Sequence, residues 1–199
     1  MTSVAPGEQS AAADAAGPES APGATAVILI GFMGSGKSHV GKLLSRQLRL
    51  PFVDTDRLVE AEHGPIDTIF AERGEAEFRG LERDVVLRAL AGVGASPAVV
   101  SLGGGAVSDG DVRAALRAAS YVAWLSAPVD VLWRRVRRAA RRSGGGRPLA
   151  RDEVSFWALY EERLPLYREV ATAEFRNDGD HSAAEVAEWV ASSVQEAAS

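Results

Sequence analysis

Residues Gly31-Phe32-Met33-Gly34-Ser35-Gly36-Lys37-Ser38 form a complete G-x-x-x-x-G-K-[ST] phosphate-binding loop. The apolar run Ala26–Ile30 precedes it and a helix-like stretch from His39 to Leu44 follows. That strand–loop–helix context is what the pattern needs. Glycines let backbone N–H groups turn toward phosphate oxygens at positive φ, and a helix N-terminus adds partial positive charge. Lys37 is placed to meet the β- and γ-phosphates and the Ser38 hydroxyl to join a Mg²⁺ shell. The chain is expected to bind a nucleoside triphosphate. Its lysines are Lys37 and Lys42 alone, against twenty arginines. A lysine that survives such a bias marks a place where a planar guanidinium does not fit, and a phosphate loop is such a place.

Phosphoryl transfer also needs an acceptor pocket, a metal and positive charge where the phosphate moves. Asp54-Thr55-Asp56 follows a second apolar run, and ligands of open α/β sheets bind outside the carboxyl ends of strands. Residues two apart in extended chain point the same way. One carboxylate then suits Mg²⁺, and the other a substrate hydroxyl, as base. The alternative is that Asp56 only caps the next helix. Arg79 and Glu82 stand at i, i+3, as a surface ion pair or as a guanidinium fork aimed by a carboxylate. Gly103-Gly104-Gly105 ends the buried-strand signature Val99–Leu102, which suggests close backbone approach to a ligand. Arg147 and Arg163 stand at the breaks Arg147-Pro148-Leu149 and Arg163-Leu164-Pro165. The three histidines have no metal-ligand spacing.

To position these residues the chain alternates short apolar runs with longer amphipathic ones, the pattern of an α/β protein with a parallel sheet. Strands are predicted at 26–31, 51–54, 98–102, 120–125 and 171–176. Helices are predicted near 37–48, 56–62, 66–72, 75–91, 109–118, 128–142, 152–168 and 182–196, the last opened by a Ser182/Glu185 capping box. Six arginines from Arg134 to Arg142 make one helix strongly basic, and Ser143-Gly144-Gly145-Gly146 breaks the chain before Arg147. The helix reads as a solvated face, a lid over ATP, or an RNA contact.

A length of 199 residues suits one domain, and 46% hydrophobic with 25% charged residues is a globular composition. Net charge −5 argues against a general nucleic-acid binder. The absence of cysteine excludes disulfides and thiolate metal sites and fits a reducing cytoplasm. No apolar run reaches membrane-spanning length. Residues 1–24 are rich in Ala, Pro, Gly and Ser, with no Arg or Lys and no apolar block. They are expected to form a disordered tail rather than a signal or transit peptide, leaving 25–199 as a single domain.

Taken together, GFMGSGKS (31–38), DTD (54–56), GEAEFRGLE (74–82), SLGGGA (101–106), RPL (147–149) and RLPLYR (163–168) resemble the shikimate kinase family. The resemblance runs over about residues 26–196. It implies a three-layer P-loop kinase fold of the nucleoside-monophosphate-kinase type. A five-stranded parallel sheet would be flanked by helices, with a substrate-binding helical region at about 54–83 and a mobile lid at about 134–151. It implies transfer of the γ-phosphate of ATP to the 3-hydroxyl of shikimate by a cytoplasmic monomer, with no nucleic-acid or membrane partner.

By motif, Lys37 and the amides of Gly34, Ser35, Gly36, Lys37, Ser38 and His39 would hold the phosphates. Ser38 would ligate Mg²⁺, and Asp54 would do so through water. Asp56 would bind the acceptor hydroxyls and act as base. Arg79 and Arg163 would clamp the carboxylate, with backbone help from Gly103, Gly104 and Gly105. Arg147 would swing from the lid onto the transferring phosphate, and Arg135 would stack on adenine, with Arg134 the alternative by position. Three departures stand out. His39 replaces the family's usual Thr, the lid segment is longer and carries the triple glycine, and the adenine loop (176–181) is acidic. The competing readings are another small-molecule kinase such as a gluconate kinase, and a nucleotide-binding regulatory protein without turnover.

Overall fold

A computed structural model describes residues 25–143 and 152–199. The expected tail, and the part of the expected lid that carries Arg147, lie outside the described residues. Five strands, β1 (Val27–Ile30), β2 (Phe52–Asp54), β3 (Val99–Ser101), β4 (Val122–Ser126) and β5 (Ala173–Arg176), form one sheet in the order β2-β3-β1-β4-β5. Every pairing is parallel.

β1 explains why the central strands read as unbroken apolar runs. Ile28 and Ile30 pack into the core on one face, with Val100, Val122 and Trp124. Val27 and Leu29 pack on the other, with Val40, Leu44, Ala123 and Val190. A strand covered on both faces has no polar alternation to show. The first face is covered by α3 (Ile66–Gly92), α4 (Gly110–Arg117) and α6 (Glu153–Val170), and the second by α1 (Lys37–Leu48) and α7 (Ala183–Ala197). α2 (Thr55–His63) and α3 build a smaller apolar cluster of Val59, Ile69, Phe78 and Val85.

The expected strands and helices are present, with ends shifted by a few residues. The two helices expected at 66–72 and 75–91 are both present as the two halves of α3, divided at Gly74, whose φ of 82° and ψ of 174° are not helical. A 3-10 turn at Ala106–Ser108, not anticipated from the sequence, follows the triple glycine. The Ser182/Glu185 capping box is present in full. α5 (Val129–Ser143) continues β4 and carries the arginine-rich face. No helix among the described residues is long and apolar enough to cross a membrane.

Candidate active site

The phosphate loop leaves β1 and turns sharply into α1. Gly34 and Gly36 sit at φ 85° and 89°, a region that disfavours side chains. No side chain caps the N-terminus of α1, whose N-cap residue is Gly36. Lys37 folds back across the loop, its Nζ donating to the carbonyls of Gly31 at 2.7 Å and Phe32 at 3.2 Å. Ser35 is fully buried, and His39 is exposed, with its amide donating to the Gly36 carbonyl at 3.0 Å. The Ser38 hydroxyl donates to Asp54 Oδ2 at 2.7 Å, joining the loop to the end of β2. A hydroxyl and a carboxylate so close are hard oxygen donors of the kind Mg²⁺ takes, most of its other ligands being phosphate and water.

The aspartates of the DTD motif divide their work. Asp54 occupies the N-cap position of α2 without a side-chain cap bond, and Asp56 lies inside the first turn. Asp56 is therefore not the cap, and its carboxylate lines a cavity. Between them Thr55 is fully buried. Its Oγ1 accepts the Gly103 amide at 3.1 Å and donates to the Ser101 carbonyl at 3.3 Å.

That cavity, of about 380 Å³, is lined by Met33 and Ser38 of the phosphate loop, Asp54, Asp56, Arg79, Glu82, Gly104, Gly105 and Arg163, with Phe70 and Phe78 as apolar wall. Arg79 is held by two carboxylates: its Nη1 donates to Glu82 Oε2 at 2.5 Å and its Nη2 to Glu75 Oε1 at 3.2 Å. Glu82 is only 4% exposed. Burial pushes its carboxyl above the ordinary value, Arg79 pulls the other way, and Asp56 adds a smaller upward push.

Arg163, which the sequence alone left as either a surface or a site residue, is 3% exposed. Its Nη1 donates to the Gly104 carbonyl at 3.2 Å, its guanidinium lies 5.7 Å from the Phe32 ring centroid, and its Nε has no hydrogen-bond partner. Burial lowers its pKa, yet an arginine keeps its charge at physiological pH. Tyr167, one turn further along α6, donates to the same Gly104 carbonyl at 2.6 Å. It is stacked on Trp124, and burial raises the pKa of its hydroxyl.

The triple glycine makes room for all of this. A Cβ at Gly103 would stand 2.3 Å from Glu82 Oε1 and 2.6 Å from Asp56 Oδ1. One at Gly105 would stand 2.0 Å from Arg79 Nη1. Three residues of this region carried no signal in the sequence. Thr55 reads as a spacer between two acids, Tyr167 as a core aromatic, and Asn177 as one polar residue of a loop. The structure places Arg135 outside the cavity. Its Nη1 donates to the carbonyls of Asn177 at 2.7 Å and Gly34 at 3.4 Å, so it braces the phosphate loop from α5.

A parallel sheet carrying a phosphate loop at its central strand, with a polar cavity of arginines and carboxylates beside it, defines a P-loop phosphotransferase. The comparisons narrow the class. A family model described as shikimate kinase matches residues 33–196, and the chain belongs to that family. It is 43% identical to a shikimate kinase of Symbiobacterium thermophilum over 157 residues, covering 76% of this chain and 86% of the relative. It is 42% identical to one of Bradyrhizobium diazoefficiens over 152 residues, covering 74% and 70%. The fold matches a shikimate kinase from Acinetobacter baumannii in complex with shikimate. That match has a TM-score of 0.77 and 30% identity, over 86% of this chain and 93% of the other. A gluconokinase from Sinorhizobium meliloti shares the fold alone, at TM-score 0.54 and 18% identity.

Proposed function

We propose that this chain transfers the γ-phosphate of ATP to the 3-hydroxyl of shikimate, giving 3-phosphoshikimate and ADP. The observation that carries the reading is the joint lining of one cavity by two arginines, Arg79 and Arg163, and the carboxylate of Asp56, beside the phosphate loop. A small acceptor bearing a carboxylate and hydroxyls needs that set. Family membership and the shikimate-bound relative support it. Gluconate also carries a carboxylate and hydroxyls, and what favours shikimate over it is the family match over residues 33–196, against a gluconokinase likeness of 18% identity that extends to the fold alone.

On this reading the arginines hold the substrate carboxylate. Glu82 and Glu75 keep the Arg79 fork in plane. At the other end of the ring Asp56 and the Gly104 amide take the hydroxyls. As the acceptor oxygen bonds to the γ-phosphorus, Asp56 takes its proton. The bond from that phosphorus to the bridging oxygen breaks, and its electron pair leaves on ADP. Lys37 and Arg147 offset the charge that shifts toward the leaving oxygen, Arg147 by the family resemblance. Ser38 and Asp54 fit Mg²⁺, which when bound neutralises charge on the β- and γ-phosphates. The chain acts as a cytoplasmic monomer on small molecules, and sedimentation checks the oligomeric state.

The test is ADP release by purified protein with ATP and Mg²⁺, with shikimate, with gluconate, or with neither. Turnover should depend on shikimate, collapse in Asp56→Asn, and weaken through a raised KM for shikimate in Arg79→Ala. ATP binding without stimulation by shikimate would overturn the reading.

A further inference from the structure

We propose that Asn177 is a positioning residue of the phosphate loop, acting on the nucleotide through the Ser35 carbonyl. The proposal rests on the nucleotide-binding half of the reading above. Asn177 is the first residue after β5 and is 8% exposed. Its Nδ2 donates to the Ser35 carbonyl at 2.7 Å, across 142 positions of sequence. Its amide donates to the Ser126 carbonyl at 2.8 Å, which fixes it to the end of β4. Its own carbonyl accepts from Arg135 Nη1 at 2.7 Å, and the same nitrogen reaches the Gly34 carbonyl at 3.4 Å. Asn177 is thus held to β4 and α5 through its backbone, and its buried carboxamide reaches from there to the phosphate loop.

The consequence for the nucleotide follows from the planar trans peptide, in which C=O and N–H point in opposite directions. Pinning the Ser35 carbonyl toward Asn177 aims the Gly36 N–H away from the β5 end. Amide orientation is what makes such a loop an anion site. The fit is tight: a Cβ at Gly36 would stand 2.5 Å from Asn177 Nδ2. Asn177 has no competing role as a helix cap, because Ser182 caps α7. Aspartate would match its size but lacks the donor, and serine is too short.

Calorimetric titration of ADP into wild type, Asn177→Asp and Asn177→Ala tests this, alongside KM for both substrates and hydrogen exchange of the loop amides. Loss of one buried hydrogen bond should weaken ADP binding roughly tenfold. Exchange of the 34–38 amides should quicken, and KM for shikimate should stay within about twofold, since less than one such bond is at stake there. Unchanged ADP affinity in Asn177→Asp, with only a lower melting temperature, would overturn the proposal. So would an equal loss for both substrates, which marks a general structural role. If Asn177→Ala does not fold, Asn177→Ser, too short to reach the Ser35 carbonyl, joins Asn177→Asp and should show the same nucleotide-only loss. ADP titration and exchange need no acceptor, so they decide the matter even if shikimate turnover were absent.

Discussion

The Thr55 hydroxyl and the Gly103 amide are 3.1 Å apart, and this contact holds the two loops of the acceptor site together. Thr55 follows β2 and Gly103 follows β3, neighbouring strands whose register pairs Asp54 with Ser101. The sheet brings the strand ends together, and the hydroxyl fixes how the chains leave them. Asp56 and the triple glycine are thereby presented to one cavity. Thr55→Val keeps the shape and removes the acceptor, leaving a buried N–H without a partner. Urea denaturation should show a loss of about 1–3 kcal/mol, with a raised KM for shikimate, whereas Thr55→Ser should retain most of both.

Gly105 lies at φ −97°, where any residue is comfortable, so its lack of a side chain answers to space rather than backbone. The atom a methyl would meet is the far end of Arg79, a flexible side chain that can yield. Gly105→Ala should therefore fold. Its displaced guanidinium should lose a charge-assisted contact, raising KM for shikimate about tenfold or more. ADP affinity measured on the same sample should be unaffected, and a fall in both would contradict the account.

Glu82 gives the fold a pH signature. Its pKa is raised in the folded state, so the folded protein binds more protons than the unfolded chain. Its contribution to stability is full below the ordinary value of 4.5 and is lost as pH rises through the higher folded value. Asp152 and Glu185, which are exposed, and the half-buried Asp178 have lowered pKa values and act in the opposite sense, their contributions fading as pH falls. Melting temperatures of wild type and Glu82→Gln isolate the buried group. The difference, wild type minus variant, should fall with rising pH from about 4.5 upward. A flat difference would show that Glu82 does not titrate with folding.

Much of this was legible in the chain because the chemistry is written locally. The phosphate loop is one contiguous run, and Asp54 and Asp56 are separated by a single residue. Arg79 carries its aiming carboxylate one helical step away. β1 to β5 were legible too, as apolar runs between polar ones, although buried strands give no signal for their ends. What stayed hidden depends on approach in space. Asn177 is a loop residue until β5 aligns beside β4 and carries it onto Ser35. Arg163 is set in the site by its motif alone, and its bond to the Gly104 carbonyl forms only when α6 lies across that glycine. The bonds from Arg135 to the Asn177 and Gly34 carbonyls cross 42 and 101 positions of sequence, so nothing local announces them. The break between the helices at 66–72 and 75–91, by contrast, is legible, and it falls at Gly74, whose φ and ψ leave the helical region.

The order of the sheet has a stereochemical consequence. β1 is its middle strand, with β3 on one side and β4 on the other. Asp56, Arg79 and the triple glycine belong to the β2–β3 side, and the braces Asn177 and Arg135 to the β4–β5 side. On the proposed function the acceptor meets the γ-phosphorus in line from the β2–β3 side, so the incoming and departing oxygens lie on opposite faces of the phosphorus. A single passage of this kind turns the phosphoryl group inside out. ATP made chiral at its γ-phosphorus should give product of inverted configuration; retention would require a phosphorylated side chain on the way.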